Sequence, residues 1–144
     1  MQTREAHLLT IFIADESVEV RKRLVELVSD LPGGRVIGEA GNALDAIVSI
    51  QRLKPQVVIM DFRMSNGNSL QAVAAVRALN AAACIIKLSS FPFPQYREQC
   101  LKAGANYFFD KASESDQIVA ILEQLLAKAS GVNDLLSAAR LKQS

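Results

Sequence analysis

Gln56-Val57-Val58-Ile59-Met60-Asp61 is a short apolar run that stops abruptly on a carboxylate. Pro55 opens it, and its β-branched residues suit a strand buried on both faces. The last residue of such a strand lies at the carboxyl edge of a sheet, where open α/β sheets bind their ligands. An acid ending an otherwise apolar strand is costly unless it is paired. The rest of the chain must therefore bring partners to Asp61.

Working outward, the same unit recurs on both sides. Upstream, Leu8 to Ala14 reads as a buried strand ending on Asp15-Glu16. Ser17 is placed to cap a helix with Val20, Leu24, Leu27 and Leu31 at helical spacing, and Pro32-Gly33-Gly34 stops it. Arg35 to Ala40 is a short second strand. A helix starting near Asn42 follows, with Ala43, Ala46, Ile50 and Leu53 inward, and Lys54-Pro55 ends it.

Downstream, the loop Phe62 to Asn68 contains the turn-prone pair Asn66-Gly67. Ser69 to Leu79 is an alanine-rich helix with Leu70, Val73 and Val76 inward, and Ala83 to Leu88 is a strand ending on Ser89-Ser90. A proline-broken loop, Phe91 to Pro94, leads to a short helix from about Gln95 to Ala103, closed by Gly104 as a left-handed cap. Asn106 to Phe109 is a brief aromatic strand before Asp110-Lys111. Ser113 and Asp116 have capping-box spacing, opening a helix to about Ser130 with Ile118, Ile121, Leu122 and Leu125 inward. Strand then helix, five times over with short connections, predicts a parallel sheet covered on both faces.

Composition narrows the function. The chain has 144 residues, half of them hydrophobic, with a net charge of +1. That suits one compact domain with a full core and gives no support to direct nucleic-acid binding. Arg21-Lys22-Arg23 reads as the solvated face of a helix. Cys84 and Cys100 form no metal-ligand or CxxC pattern and suit a reducing compartment. The one histidine, His7, excludes a multi-histidine metal site and argues against a Ser/His/Asp triad. No run is long enough to span a membrane, and no signal-peptide pattern opens the chain, so a cytoplasmic protein is expected.

In the predicted topology all strand ends share one edge. The first strand delivers Asp15 and Glu16 there, the third Asp61, the fourth Ser89 and the fifth Lys111. Three carboxylates packed together repel unless a cation neutralises them, and a hard ion such as Mg²⁺ accepts carboxylates, waters and phosphate oxygens. The lysine offers a point charge and the serine a rotatable donor to an oxyanion. Singly, Asp15 and Glu16 are better explained as favourable charges at a helix N-terminus, Lys111 as a solvated side chain and Ser89 as a small residue at a strand end. The joint arrangement, in strand order, suits a phosphoryl group held beside Mg²⁺.

Four motifs carry a family likeness: Ile13-Ala14-Asp15-Glu16-Ser17, Val58-Ile59-Met60-Asp61-Phe62-Arg63-Met64, Lys87-Leu88-Ser89-Ser90, and Ala103-Gly104-Ala105 with Phe108-Phe109-Asp110-Lys111. Through them the chain resembles a bacterial two-component response-regulator receiver domain of the chemotaxis-regulator type, over roughly residues 8 to 128. The resemblance implies a flavodoxin-like (βα)5 three-layer α/β sandwich with strand order 2-1-3-4-5. It implies that Asp61 is the phosphoacceptor, taking a phosphoryl group from a sensor histidine kinase or histidine phosphotransfer protein. Mg²⁺ would be bound by Glu16, Asp61 and the backbone carbonyl of Arg63, with Asp15 helping directly or through water. Lys111 would pair with the phosphoryl group, Ser89 would move its hydroxyl towards it, and Phe108 would be the aromatic switch that rotates inward. The protein would then act by switching contacts with a downstream protein, catalysing nothing but its own phosphorylation and dephosphorylation. The face formed by the fourth helix, fifth strand and fifth helix is a candidate surface for a homodimer.

The sequence departs from the family pattern at Ser65 and Ala112, where prolines are usual, at Ser69, often Gly, and at Phe108, more often Tyr. None of these removes a reacting group. Arg63 and Phe91 flank the expected path of the hydrolysing water, and their bulk predicts a slowed loss of the phosphoryl group. Two rivals remain: a degenerate receiver used as an unphosphorylated docking or dimerisation module, and an aspartate-nucleophile phosphatase. The phosphatase chemistry wants an acid where Arg63 stands. Residues 1–130 are read as the receiver and 131–144 as a tail, in which Val132, Leu135, Leu136 and Ala139 fit a short amphipathic helix or the start of a linker to an output domain.

Overall fold

A computed structural model describes residues 8–129. Five strands, β1 (Leu9–Ala14), β2 (Gly34–Ala40), β3 (Val57–Asp61), β4 (Cys84–Ser89) and β5 (Tyr107–Asp110), form one sheet in the order β2-β1-β3-β4-β5. Every pairing is parallel. The crossovers are α1 (Val18–Ser29), α2 (Ala43–Leu53), α3 (Ser69–Leu79) and α4 (Pro94–Ala103), and α5 (Ser115–Ala129) follows β5. The expected flavodoxin-like order is thus found, with the topological switch between β1 and β3.

Two cores form because residues along a strand point alternately to opposite faces. On one face Phe12, Val58, Met60, Ile85 and Phe108 pack against Ala43, Ala46 and Ile50 of α2, Ala72, Val73 and Val76 of α3, and Cys100 of α4. On the other, Ile11, Ile13, Val57, Ile59, Ile86 and Leu88 pack against Leu24 and Val28 of α1 and Ile118 and Leu122 of α5. All of Val57 to Met60 is fully buried, as a strand covered on both faces requires.

Caps follow the sequence closely. Ser17 accepts from Val20 N, Asn42 from Asp45 N, and Asn68 from both Leu70 N and Gln71 N. Gly104 ends α4 at φ +124°, a conformation that favours glycine. The Ser113–Asp116 capping box does not form. Ser113 Oγ instead donates to Asp110 Oδ2, Asp110 N donates to Glu114 Oε1, and α5 begins at Ser115. Leu31, expected on the inner stripe of α1, lies beyond that helix, which stops at Ser29; Val28 is the buried residue there. The tail, residues 131–144, and His7 lie outside the described residues.

Candidate functional site

The strand ends bring the expected groups to one place. Asp15 directly follows β1, Asp61 and Ser89 are the last residues of β3 and β4, and Lys111 directly follows β5. Parallel pairing sets Asp61 beside Leu88 and Ser89 beside Asp110, which aligns these ends. A cavity of about 340 Å³ opens there, lined by Asp15, Glu16, Ser17, Asp61, Arg63, Ser89, Ser90, Phe91 and Lys111.

Lys111 is the centre of charge. Its Nζ lies 2.7 Å from Asp15 Oδ2 and 3.1 Å from Asp61 Oδ1. Burial alone pulls the ammonium's pKa down, but the two carboxylates outweigh burial and hold it above the ordinary lysine value. Asp61 moves the other way for a carboxylate. Burial raises its pKa, Asp15 raises it further, and Lys111 only partly offsets both. Asp15 is 1% exposed; its Oδ1 accepts from Ser17 N, and Arg21 Nη1 donates to its carbonyl oxygen at 2.6 Å. Its buried Oδ2 is paired with the Lys111 ammonium at 2.7 Å.

That buried carboxylate oxygen, beside a second carboxylate whose charged form burial and Asp15 disfavour, fits a hard cation. The expected cluster of three acids is looser than the sequence suggested. Glu16 lines the same cavity but is exposed, and among the described residues no group of three His, Cys, Asp or Glu side chains is gathered for a metal. Lys111 already compensates the Asp15–Asp61 pair, so nothing draws Glu16 inward.

A model of the response regulator receiver domain matches residues 11–123. The chain belongs to the response regulator receiver family. Among its relatives, the chemotaxis protein CheY of Listeria monocytogenes is 27% identical over 117 residues, covering 81% of this chain and 98% of that protein. The protein-glutamate methylesterase/protein-glutamine glutaminase of Alkalilimnicola ehrlichii is 31% identical over 101 residues, covering 69% of this chain but only 26% of that protein. In fold the receiver is similar to a solved complex of CheX, CheY, BeF3 and Mg²⁺ from Borrelia burgdorferi. That likeness has a TM-score of 0.72 at 20% identity and covers 83% of this chain and 87% of that one. The protein is therefore a CheY-like receiver domain of two-component signalling, and none of its described helices is long and apolar enough to cross a membrane.

Within the receiver, Ser89 and Phe108 stand in a defined state. The Ser89 hydroxyl donates to Phe91 O and accepts from Phe91 N, both at 3.0 Å, so it is engaged within its own loop. Phe108 is 2% exposed, with its ring edge-on to Phe62 at 6.1 Å. The aromatic ring is thus already turned inward while the hydroxyl is held elsewhere. Arg63 places its guanidinium 4.9 Å from the centre of the Phe91 ring, so the two residues expected to flank the water path are in contact.

Sequence reasoning passed over Lys87. It sits mid-strand in β4, fully buried, and its Nζ donates to Asp61 O at 3.0 Å and to Ser69 Oγ at 2.6 Å. Desolvation lowers its pKa to about 8. The available signal was a single charge inside the apolar run Cys84 to Leu88.

Proposed function

We propose that Asp61 accepts a phosphoryl group from a histidine kinase or histidine phosphotransfer protein, and that the phosphorylated receiver changes its contacts with a downstream protein. The observation that carries this is the pairing of Asp61 and Asp15 with Lys111 at the mouth of an open cavity. Both contacts of the Asp61 side chain to described residues fall on Oδ1, which leaves Oδ2 as the attacking oxygen. The new bond joins Oδ2 to phosphorus, the phosphorus–nitrogen bond of the phosphohistidine breaks, and the imidazole leaves with its electron pair and takes a proton from water.

Such transfers have a loose transition state, so the protein supplies position and charge rather than a base. Lys111 orients Asp61 and offers its ammonium to a phosphoryl oxygen. Asp15, Asp61, Glu16 and the Arg63 carbonyl would hold Mg²⁺, whose charge offsets the repulsion among carboxylates and phosphoryl oxygens. The Ser89 hydroxyl would leave Phe91 for the phosphoryl group, linking the site to the β4–α4 loop. Phe108, buried behind that loop, is the aromatic side chain that would respond to the move. The expected setting is cytoplasmic, with no chemistry beyond the domain's own phosphorylation and dephosphorylation, whether it acts alone or within a longer regulator. The α4–β5–α5 face is the proposed dimer surface.

Acetyl phosphate or beryllofluoride with Mg²⁺ tests the reading. The wild type should gain one phosphoryl group, or show shifted amide resonances around Asp61 and Ser89, and Asp61→Asn should do neither. A wild type that responds to neither reagent would favour an unphosphorylated docking module.

A further inference from the structure

The loop from Phe62 to Asn68 joins the phosphoacceptor strand to α3 and carries Arg63, yet it contains no proline. Two residues in it have positive φ, Asn66 at 57° and Gly67 at 147°. Its middle is held at one point, where Ala43 N donates to Ser65 O at 2.9 Å. Phe62 N also donates to Leu88 O at one end and Asn68 Oδ1 caps α3 at the other, and one group spans both ends. The Lys87 ammonium donates to the carbonyl of Asp61, just before the loop, and to the hydroxyl of Ser69, just after it.

A fully buried lysine inside a strand is expensive. An apolar residue of similar length would fill the same space, and exchanging a buried charge for such a residue is often neutral or stabilising. Core packing therefore does not account for Lys87. Charge-assisted hydrogen bonds are about twice as strong as neutral ones and more directional. Two of them, to chain segments eight residues apart in sequence (positions 61 and 69), tie those segments together in a directional way that an apolar side chain at 87 would not.

We propose that Lys87 is a positioning residue, whose buried ammonium ties the end of β3 to the start of α3 and so fixes the loop that presents the Arg63 carbonyl to Mg²⁺. The metal part of this statement rests on the function proposed above; the clamp itself does not. Lys87 thereby does for this loop what a rigid residue at Ser65 would do by covalent constraint. Ser69 is the matching half of the device, since glycine there would remove one of the two acceptors.

The test uses the whole chain with Lys87→Met, Ser69→Ala and Ser69→Thr. Amide hydrogen exchange of Phe62 to Asn68, measured without metal, should accelerate about tenfold or more in Lys87→Met and Ser69→Ala. Ser69→Thr, which keeps the hydroxyl, should match wild type. Mg²⁺ affinity, read by calorimetry, should weaken in the same two variants, while the melting temperature of Lys87→Met stays level or rises. Wild-type loop exchange in both Lys87→Met and Ser69→Ala would overturn the clamp. Should Lys87→Met fail to fold, Ser69→Ala decides alone. A wild type that binds no Mg²⁺ would sink the reading of the site, and loop exchange would still decide the clamp.

Discussion

The two edges of the sheet each hold a cation, and they use it in opposite ways. At the amino edge of β4 and β5, the guanidinium of Arg77 donates to the carbonyls of Asn80, Ala81, Ala83 and Gly104 and to Asn106 Oδ1. All its partners are neutral and fixed, so the edge is closed. At the carboxyl edge, Lys111 faces two carboxylates, one of them with a buried oxygen whose contact is the Lys111 ammonium itself. A multidentate planar cation locks backbone in place, whereas a point charge between acids leaves a site that another cation or a phosphoryl group can rearrange. The first edge is scaffold, and the second is poised.

Removing each cation should have opposite consequences for metal dependence. Arg77→Ala is expected to lose roughly 3 kcal/mol of stability, because several carbonyls, most of them partly buried, lose their charged donor together, and to lose it equally with and without Mg²⁺. Lys111→Met should lose somewhat less in EDTA and regain most of it with Mg²⁺, since the ion replaces the missing charge. Urea titrations of both variants, in EDTA and in Mg²⁺, check this. Equal metal dependence in the two would erase the distinction.

Lys87 sharpens the contrast, because it shares an edge with Lys111 but has neutral partners. Its pKa is lowered to about 8 from 10.5, so the folded chain releases this proton before the unfolded chain does. Between those two values the unfolded state binds more protons, and stability rises with pH. Relative to Lys87→Met, the wild type should gain on the order of 3 kcal/mol across that window. Denaturation midpoints at pH 7.5 and about pH 10.5 measure it, and parallel curves would refute the burial argument.

A smaller effect is expected at Asp61. Its raised pKa means that the folded state disfavours the charged carboxylate above the unfolded value of 3.8, so that stability is lost as pH rises through the folded pKa. Asp61→Asn should therefore melt a few degrees higher than wild type at neutral pH in EDTA. Mg²⁺ should narrow that gap by stabilising the wild type alone. Thermal scans of both proteins, with and without metal, would show it. Smallest of all, Arg63→Ala and Phe91→Ala should each release the phosphoryl group about threefold faster, under 1 kcal/mol of barrier, as the stacked pair at the cavity opens. A decay time course that matches wild type would remove that role.

Much of this was legible in the chain because local chemistry and tertiary context agree. The apolar run before Asp61 reads as a doubly covered strand and is one. Ser17, Asn42 and Asn68 are cap residues by type and cap the helices they precede. Ala72 was missed as core because alanine is equally at home on a helix surface, yet α3 presses it against the sheet at 0% exposure. The Ser113–Asp116 box failed because Glu114, three residues before Gln117, reached Asp110 N first and moved the helix start.

By itself the sequence determined the strand-helix alternation and which residues reach the carboxyl edge, because period, caps and strand ends are local properties, while the sheet order was implied only by the family resemblance. Only the tertiary structure decided how those groups share charge. Lys111 lies nearly a hundred positions from Asp15, Glu16 stays out, and Lys87 finds its acceptors 18 and 26 residues away. Burial and distance set the strength of a charge, and neither is written in neighbouring residues.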